Sequence, residues 1–261
     1  MDRNFDDLVD RFERKIYGGV KGAIRLAALE RDLREHVPQL WLSSPLRVLD
    51  AGGGFGQFAG MFASLGHEVT LCDLSSEMLR RAAALHEQAY PGCSINYEHC
   101  AIQALAEQPE HQAGYDIVLC HAVLEWVEEP MRLVAALQQL AKPSGLLSLM
   151  FYNVHSLIYR NLIRGNFRKV ERLEAGDFSI DSDTLTPMNP LKPADVREHL
   201  QGLGMQSIAE SGVRVIYDYM AKPAQHARTL EDIIAMELRY SQREPFRSQG
   251  RYYHILAKQR Q

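Results

Sequence analysis

Val48-Leu49-Asp50-Ala51-Gly52-Gly53-Gly54-Phe55-Gly56-Gln57 is a short aliphatic run that ends near an acid, crosses a glycine turn and enters a helix-like segment. Glycine tolerates positive φ and lets a backbone approach a ligand closely, so strand, turn and helix in this order mark a ligand loop. Alone the signal is weak, because many nucleotide folds share it and some glycines serve only tight packing. Val69-Thr70-Leu71-Cys72-Asp73 adds a second signal. It ends the next aliphatic run with an acid about 20 residues further on, where a carboxylate can accept both hydroxyls of a ribose.

Outward from that turn, short aliphatic runs alternate with longer amphipathic stretches from Ser44 to Met150, the pattern of βαβ units around a parallel sheet. The runs Leu46 to Ala51, His67 to Cys72, Ser94 to His99, Tyr115 to His121 and Leu146 to Phe151 predict strands. Gly56 to Ser64, Ser76 to Gln88 and Met131 to Lys142 predict helices. Ser75 or Ser76 offers a hydroxyl cap to the second helix, and Lys142-Pro143-Ser144-Gly145 ends the third. Phe5 to Tyr17 and Val20 to His36 read as two leading helices parted by Gly18 and Gly19. Behind the core, Val154 to Leu173 reads as a basic helical insertion and Phe178 to Pro193 as a loop. A helix from Pro193 to Leu203, a strand from Met205 to Tyr217, a helix from Leu230 to Gln242 and a strand from Arg251 to Lys258 follow. The last two strands are expected to pair antiparallel or mixed at a sheet edge.

With 46% hydrophobic and 24% charged residues among 261, the chain reads as globular, with room for one large or two small domains. Disorder, collagen and coiled coil are excluded. No apolar run approaches a membrane span, and MDRNFDDLVDRF lacks the layout of a signal peptide, so the expected location is the cytosol. Cys72, Cys93, Cys100 and Cys120 show no C-x-x-C spacing and read as reduced, mostly buried thiols. The histidines carry no H-E-x-x-H or similar spacing, and no metal is expected. A net charge of -4, from 29 bases against 33 acids, argues weakly against a nucleic-acid partner.

The loop separates two ligand classes. A dinucleotide loop spaces its glycines G-x-G-x-x-G around a pyrophosphate. Here the order is G-G-G-F-G behind Asp50, an acid that repels a pyrophosphate but suits a ligand carrying an ammonium and a sulfonium. S-adenosylmethionine fits that description; a plain turn-stabilising acid is the competing reading of Asp50.

The segments VLDAGGGFGQ, LCDLSSEML, HCAIQ, DIVLCHAVLEWVEEP, KPSGLLSLMFYN and GVRVIYDY, with RNFDDLVDRFERKIYGGVKGAIR at the start, resemble the bacterial tRNA 5-carboxymethoxyuridine methyltransferase family, in order and over nearly the whole chain. The resemblance implies a class I methyltransferase fold: an α/β, Rossmann-like, seven-stranded, mostly parallel sheet with helices on both faces, N-terminal helices and a helical insertion after the fifth strand. It implies a single domain, with a helical cap at 1–40, a cofactor core at 44–152, a basic insertion at 154–192 and sheet completion at 193–261. The implied reaction is methylation of the carboxylate of 5-carboxymethoxyuridine at tRNA position 34, using S-adenosylmethionine, to give the methyl ester. Family cofactor contacts carry over to Arg25, Gly52, Gly53, Asp73, Ile102, Gln103 and His121, joined by Asp50 from the loop chemistry. Phe55 and Ala104 depart from the family, which usually has acids there.

Each position has a plainer reading. Arg25 in KGAIRLAAL would otherwise be a solvated helix face, and His121 a strand cap. Trp126 in LEWVEEP reads as a packing anchor rather than a base-stacking platform. Tyr152 and Asn153 leave the fifth strand at its carboxyl edge and are candidates for the substrate mouth, as are Arg214, Tyr217 and Tyr219, which would alternate along a strand. A carboxylic acid with a pKa of about 4 is already anionic at neutral pH, so no general base and no catalytic acid–base residue is expected. Arg214 and Arg251 are the candidates for holding the substrate carboxylate.

Charge is unevenly spread. Glu98 to Met131 holds seven acids and no Lys or Arg, whereas Tyr159 to Arg172 holds five bases against Glu171, and Arg239 to Arg260 six against Glu244. Tyr159, Phe167, Tyr240, Phe246, Tyr252 and Tyr253 interleave with those bases and could stack on unpaired anticodon-loop bases. Two other functions stay open: a class I methyltransferase acting on a small-molecule oxygen or carboxylate, and a non-catalytic S-adenosylmethionine-binding module.

Overall fold

The computed structural model describes residues 19–42, 44–178 and 187–260. The helix expected at Phe5 to Tyr17 and the middle of the Phe178 to Pro193 loop lie outside them. One seven-stranded sheet runs through the molecule in the order β3-β2-β1-β4-β5-β7-β6. Its strands are β1 (Arg47–Ala51), β2 (Glu68–Asp73), β3 (Ile95–His99), β4 (Tyr115–His121), β5 (Ala141–Tyr152), β6 (Met205–Val213) and β7 (Tyr252–Gln259). The first five are parallel, and β7 enters antiparallel between β5 and β6. The last strand in sequence is therefore interior, and β6 takes the edge.

The helices are α1 (Val20–His36), α2 (Gln57–Ser64), α3 (Ser76–Ala89), α4 (Ile102–Ala106), α5 (Pro130–Leu140), α6 (Val154–Leu162), α7 (Phe167–Glu174), α8 (Pro193–Gly202), α9 (Lys222–His226) and α10 (Leu230–Ser241). Leu29 and Leu33 of α1, Phe58 and Phe62 of α2 and Leu79 of α3 pack on one sheet face. Leu105 of α4, Leu133 and Leu137 of α5 and Leu200 of α8 pack on the other. Both faces are covered, which explains the nearly unbroken apolar reading of the inner strands. Ser75 caps α3 by accepting from the Met78 amide at 3.1 Å.

Three boundaries differ from the expectation. The helix before β5 stops at Leu140, and Ala141 already pairs with Tyr115; residues 142–145 then bulge out before pairing resumes at Leu146–Ile117. Lys142 Nζ fixes the bulge by pairing with Asp116 at 2.8 Å. The basic insertion is two helices, α6 and α7, broken at Gly165, which has φ 70°. The strand expected to reach Tyr217 ends at Val213, because Glu237 of α10 gathers three successive amides: Val215 at 2.7 Å, Ile216 at 3.1 Å and Tyr217 at 2.7 Å. Arg214, at φ 61°, turns the chain into that clamp, so Arg214, Tyr217 and Tyr219 do not alternate on a strand. The four cysteines are free thiols.

Candidate functional site

The carboxyl ends of β1, β2 and β4 meet where the strand order reverses, the place open α/β sheets bind ligands. Gly52 bends there at φ 68°, its amide bonded to the Cys72 carbonyl at 2.7 Å, and an added Cβ would lie 2.6 Å from Val123 Cγ2. At Gly53 a Cβ would meet Asp50 Cγ at 2.5 Å, so glycine is what lets the loop fold over the Asp50 carboxyl. Asp73 braces the loop: Oδ2 accepts from the Gly54 amide and Oδ1 from the Ser75 amide, each at 2.9 Å.

A narrow cavity opens above Asp50, lined by Arg25, Leu26, Leu29, Gly53, Gln57, Phe58 and His121. Burial pushes the Asp50 carboxyl up to about 7; the Ala59 amide opposes this, Asp73 adds to it and Arg25 opposes it again. His121 closes the far wall with its Nε2 on Ser148 Oγ at 2.8 Å. Ile102 and Gln103 open α4 beyond β3, but the Ile102 side chain is core, which leaves its backbone for any ligand. Trp126 is half-buried beside the fully buried Leu124 and Glu125. Burial drives Glu125 up to about 8; the amides of Glu125 and Tyr152 offset this electrostatically, without a hydrogen bond in good geometry to either carboxyl oxygen.

Along the same edge, β5, β6 and β7 present the opposite charge. Lys21, Arg160, Arg214 and Arg251 all act on Asp218, which holds an ion pair with Arg214 Nε at 2.9 Å and another with Lys21 at 3.6 Å. Arg251 lies 4.5 Å over the Tyr152 ring and Arg214 lies 5.3 Å over Tyr252. Arg251 Nη1, Arg160 Nε and the Tyr152 hydroxyl are buried with no hydrogen-bond partner among the described residues. Buried polar atoms are almost always bonded, so three orphans together mark a place for an anion. Burial pulls the Arg251 pKa down, the sign of a cation short of counter-charge.

The candidates read from sequence divide accordingly. Arg25, Asp50, Gly53 and His121 share one cavity, with Gly52 and Asp73 shaping its floor. Tyr152, Arg214 and Arg251 share the cationic patch. Asn153 does not line a mouth: it is fully buried, its Nδ2 donating to the Ser248 and Gly250 carbonyls at 2.9 Å and its Oδ1 capping α6 at the His155 amide. Tyr217 sits half-buried in a 3-10 turn whose backbone serves the Glu237 clamp. Tyr253 is core, and Tyr252 packs edge-on against Tyr152, so neither is a surface stacking platform. Arg160 was read only as one of the bases of the insertion, and Lys21 had no role in the site; 54 and 37 residues separate Arg160, Arg214 and Arg251, and no short-range pattern links them.

The Methyltransferase domain family matches residues 49–149, from within β1 to within β5. Over 261 residues, 100% of this chain and 98% of the relative, the sequence is 41% identical to the tRNA 5-carboxymethoxyuridine methyltransferase of Escherichia coli K12. The chain belongs to the tRNA 5-carboxymethoxyuridine methyltransferase family. A ubiquinone biosynthesis O-methyltransferase from Burkholderia thailandensis is 30% identical over 167 residues, 64% of this chain and 67% of that one. The match to the Escherichia coli protein spans α6, α7 and β7 as well as the core. In fold, the chain resembles the magnesium protoporphyrin IX methyltransferase of Synechocystis PCC 6803, solved with bound SAH, at TM-score 0.63 and 19% identity over 98% of this chain and 96% of that one.

Proposed function

We propose that this protein transfers the methyl group of S-adenosylmethionine to the carboxylate of 5-carboxymethoxyuridine at the wobble position of tRNA, giving the methyl ester. The observation that carries the reading is the under-paired cluster of Arg160, Arg214 and Arg251 on the same sheet edge as the acid-floored cavity. A cation-lined patch suits an anionic nucleophile, and an acid-floored cavity suits a cationic methyl donor.

The cavity suits that donor in charge. Arg25 would take its carboxylate with a bidentate guanidinium, Asp50 would face its positive end, and Asp73 would take the ribose hydroxyls. Gly52 and Gly53 provide the close approach, with Ile102, Gln103 and His121 along the walls. When bound, the cofactor supplies an electrophilic methyl on a cationic sulfur.

The substrate carboxylate is ionised at neutral pH, so no side chain removes a proton. Arg251 and Arg160, with the Tyr152 hydroxyl, hold it by one oxygen and leave the other free to attack. Asp218 draws Arg214 partly away, which keeps the grip from blunting the nucleophile. Rate then comes from alignment of the reacting groups at about 3 to 3.5 Å in a site shielded from water. Methylation removes the negative charge, so the ester loses its hold on the arginines and leaves.

The chain works as one unit, α1 capping the cofactor core at 44–152, α6 and α7 inserted beside the substrate edge and α8 to β7 completing the sheet. The insertion supplies the RNA face. Tyr159, Ile163 and Phe167 are exposed hydrophobics among Arg164, Arg168 and Lys169, a basic surface with rings for unpaired bases. The decisive assay offers labelled S-adenosylmethionine and tRNA from cells lacking the ester, followed by nucleoside mass analysis. The methyl ester of 5-carboxymethoxyuridine is expected; label on a small metabolite and none on tRNA would overturn the reading.

A further inference from the structure

His121, Ser148, His254 and Ser211 form a polar row across four neighbouring strands, β4, β5, β7 and β6, on one face of the sheet. His121 and His254 are both register partners of Met150, Ser148 lies two residues before Met150, and Ser211 pairs with His254. Asp32 of α1 lies over the row. Asp32, Ser148, Ser211 and His254 are each 0% exposed, amid the apolar packing of Leu29, Leu33, Met150 and Leu256. Each polar group there carries a desolvation cost that its hydrogen bonds must offset.

Those bonds form an unbroken chain from α1 to the cofactor cavity. His254 Nδ1 meets Asp32 Oδ2 at 2.7 Å, Ser148 Oγ meets His254 Nε2 at 2.9 Å, and His121 Nε2 meets Ser148 Oγ at 2.8 Å. Proton positions follow from the end where they are constrained. Burial raises the Asp32 pKa, but His254, Arg31 and Ser211 outweigh it and hold the carboxyl below its usual range, so Asp32 only accepts. His254 must then carry its proton on Nδ1. Arg31 Nε already bonds Asp32 Oδ1 at 2.7 Å and has only a longer, exposed contact to Glu35 at 3.7 Å, so a charged imidazole would leave the one buried carboxylate serving two cations. A neutral His254 leaves Nε2 to accept from the Ser148 hydroxyl. With its proton so used, Ser148 Oγ can only accept from His121, whose proton therefore sits on Nε2.

We propose that Asp32, His254 and Ser148 are positioning residues that lock His121 in the Nε2-protonated tautomer and present its bare Nδ1 as an acceptor to the cationic end of the methyl donor. Nδ1 has no hydrogen-bond partner among the described residues, and the ring lines the cavity beside Asp50 and Arg25. Phe58 fixes its tilt, edge-on at 5.6 Å. Burial above all, with Arg25 adding to it, drives the His121 pKa well below the ordinary histidine value, so the ring stays neutral and able to accept. The inference deepens the proposed function and rests on it for the identity of the ligand, but the tautomer is a property of the protein alone. Sequence shows the row only as single polar residues, Ser148 in Leu-Leu-Ser-Leu-Met and His254 in Tyr-Tyr-His-Ile-Leu, inside apolar strands.

The test reads the ring nitrogens of 15N-histidine-labelled, cofactor-free protein by NMR at neutral pH, beside calorimetric binding of S-adenosylmethionine. Wild-type His121 is expected to show a protonated Nε2 and a bare Nδ1. Ser148→Ala is expected to let the proton redistribute to Nδ1 and to raise the S-adenosylmethionine Kd about tenfold, the scale of one hydrogen bond to a charged group. A wild-type ring protonated on Nδ1, or a Ser148→Ala protein binding with wild-type affinity, overturns the proposal. Should Ser148→Ala not fold, the wild-type spectrum decides alone. Wild-type protein that shows the expected tautomer but binds no S-adenosylmethionine would instead sink the functional reading.

Discussion

The two halves of the sheet edge solve opposite electrostatic problems. Under β1, β2 and β4, Asp50 and Asp73 make an acid floor; beside β5, β6 and β7, Arg160, Arg214 and Arg251 share Asp218. Each half holds a charge the native fold does not fully compensate, and each deficit has the sign of the partner proposed for it. Buried uncompensated charge destabilises a fold, so such residues trade stability for binding.

Removing a charge from either half separates those roles, and the largest effect belongs to the cationic half. Arg251→Met is expected to lower kcat/KM for tRNA about 100-fold, within the range for truncating one side of a buried charge pair, while the S-adenosylmethionine Kd stays within about twofold. Its Tm is expected to hold or rise; equal losses in both affinities would break the division into halves. On the acid half, Asp50→Asn is expected to weaken S-adenosylmethionine about tenfold and raise the Tm of the cofactor-free protein.

A pH titration sharpens the same contrast. The Asp50 carboxyl at about 7 lies above its unfolded value, so across that window the unfolded chain binds fewer protons and stability falls as pH rises. A cationic ligand prefers the ionised form, so affinity should climb as pH rises through about 7 and level off above it, with proton release seen by calorimetry in two buffers. Asp50→Asn should flatten that profile. The smallest effect is expected at α7, where Arg168→Ala with Lys169→Ala should weaken tRNA binding severalfold and reduce its salt slope by about one to two units, one per lost phosphate contact. An unchanged slope would move the RNA face elsewhere.

The halves also differ in how far sequence discloses them. Glycine loop, Asp50 and Asp73 are consecutive or one βα unit apart, so local pattern states both the backbone and its chemistry. The fold followed for the same reason, since each strand of the parallel core carries its own apolar run. The arginine patch has no such locality: Arg214 reaches it only because Glu237, 23 residues later, bends the chain after Val213. Asn153 misled for the complementary reason, its place at a strand end being right and its hydrogen bonds invisible without Ser248 and Gly250. The net charge of -4 concealed a basic insertion beside an acidic middle.

The Glu237 clamp has a mechanical consequence. Its helix, α10, lies against α1 through Arg31, which bonds the Leu238 carbonyl at 3.2 Å and Ser241 Oγ at 2.7 Å. The same α1 carries Arg25 into the cofactor cavity. This packed pair of helices thus forms a caliper, one jaw carrying Arg25 and the other the Glu237 clamp, and on the proposed reading its opening sets the gap the methyl group crosses.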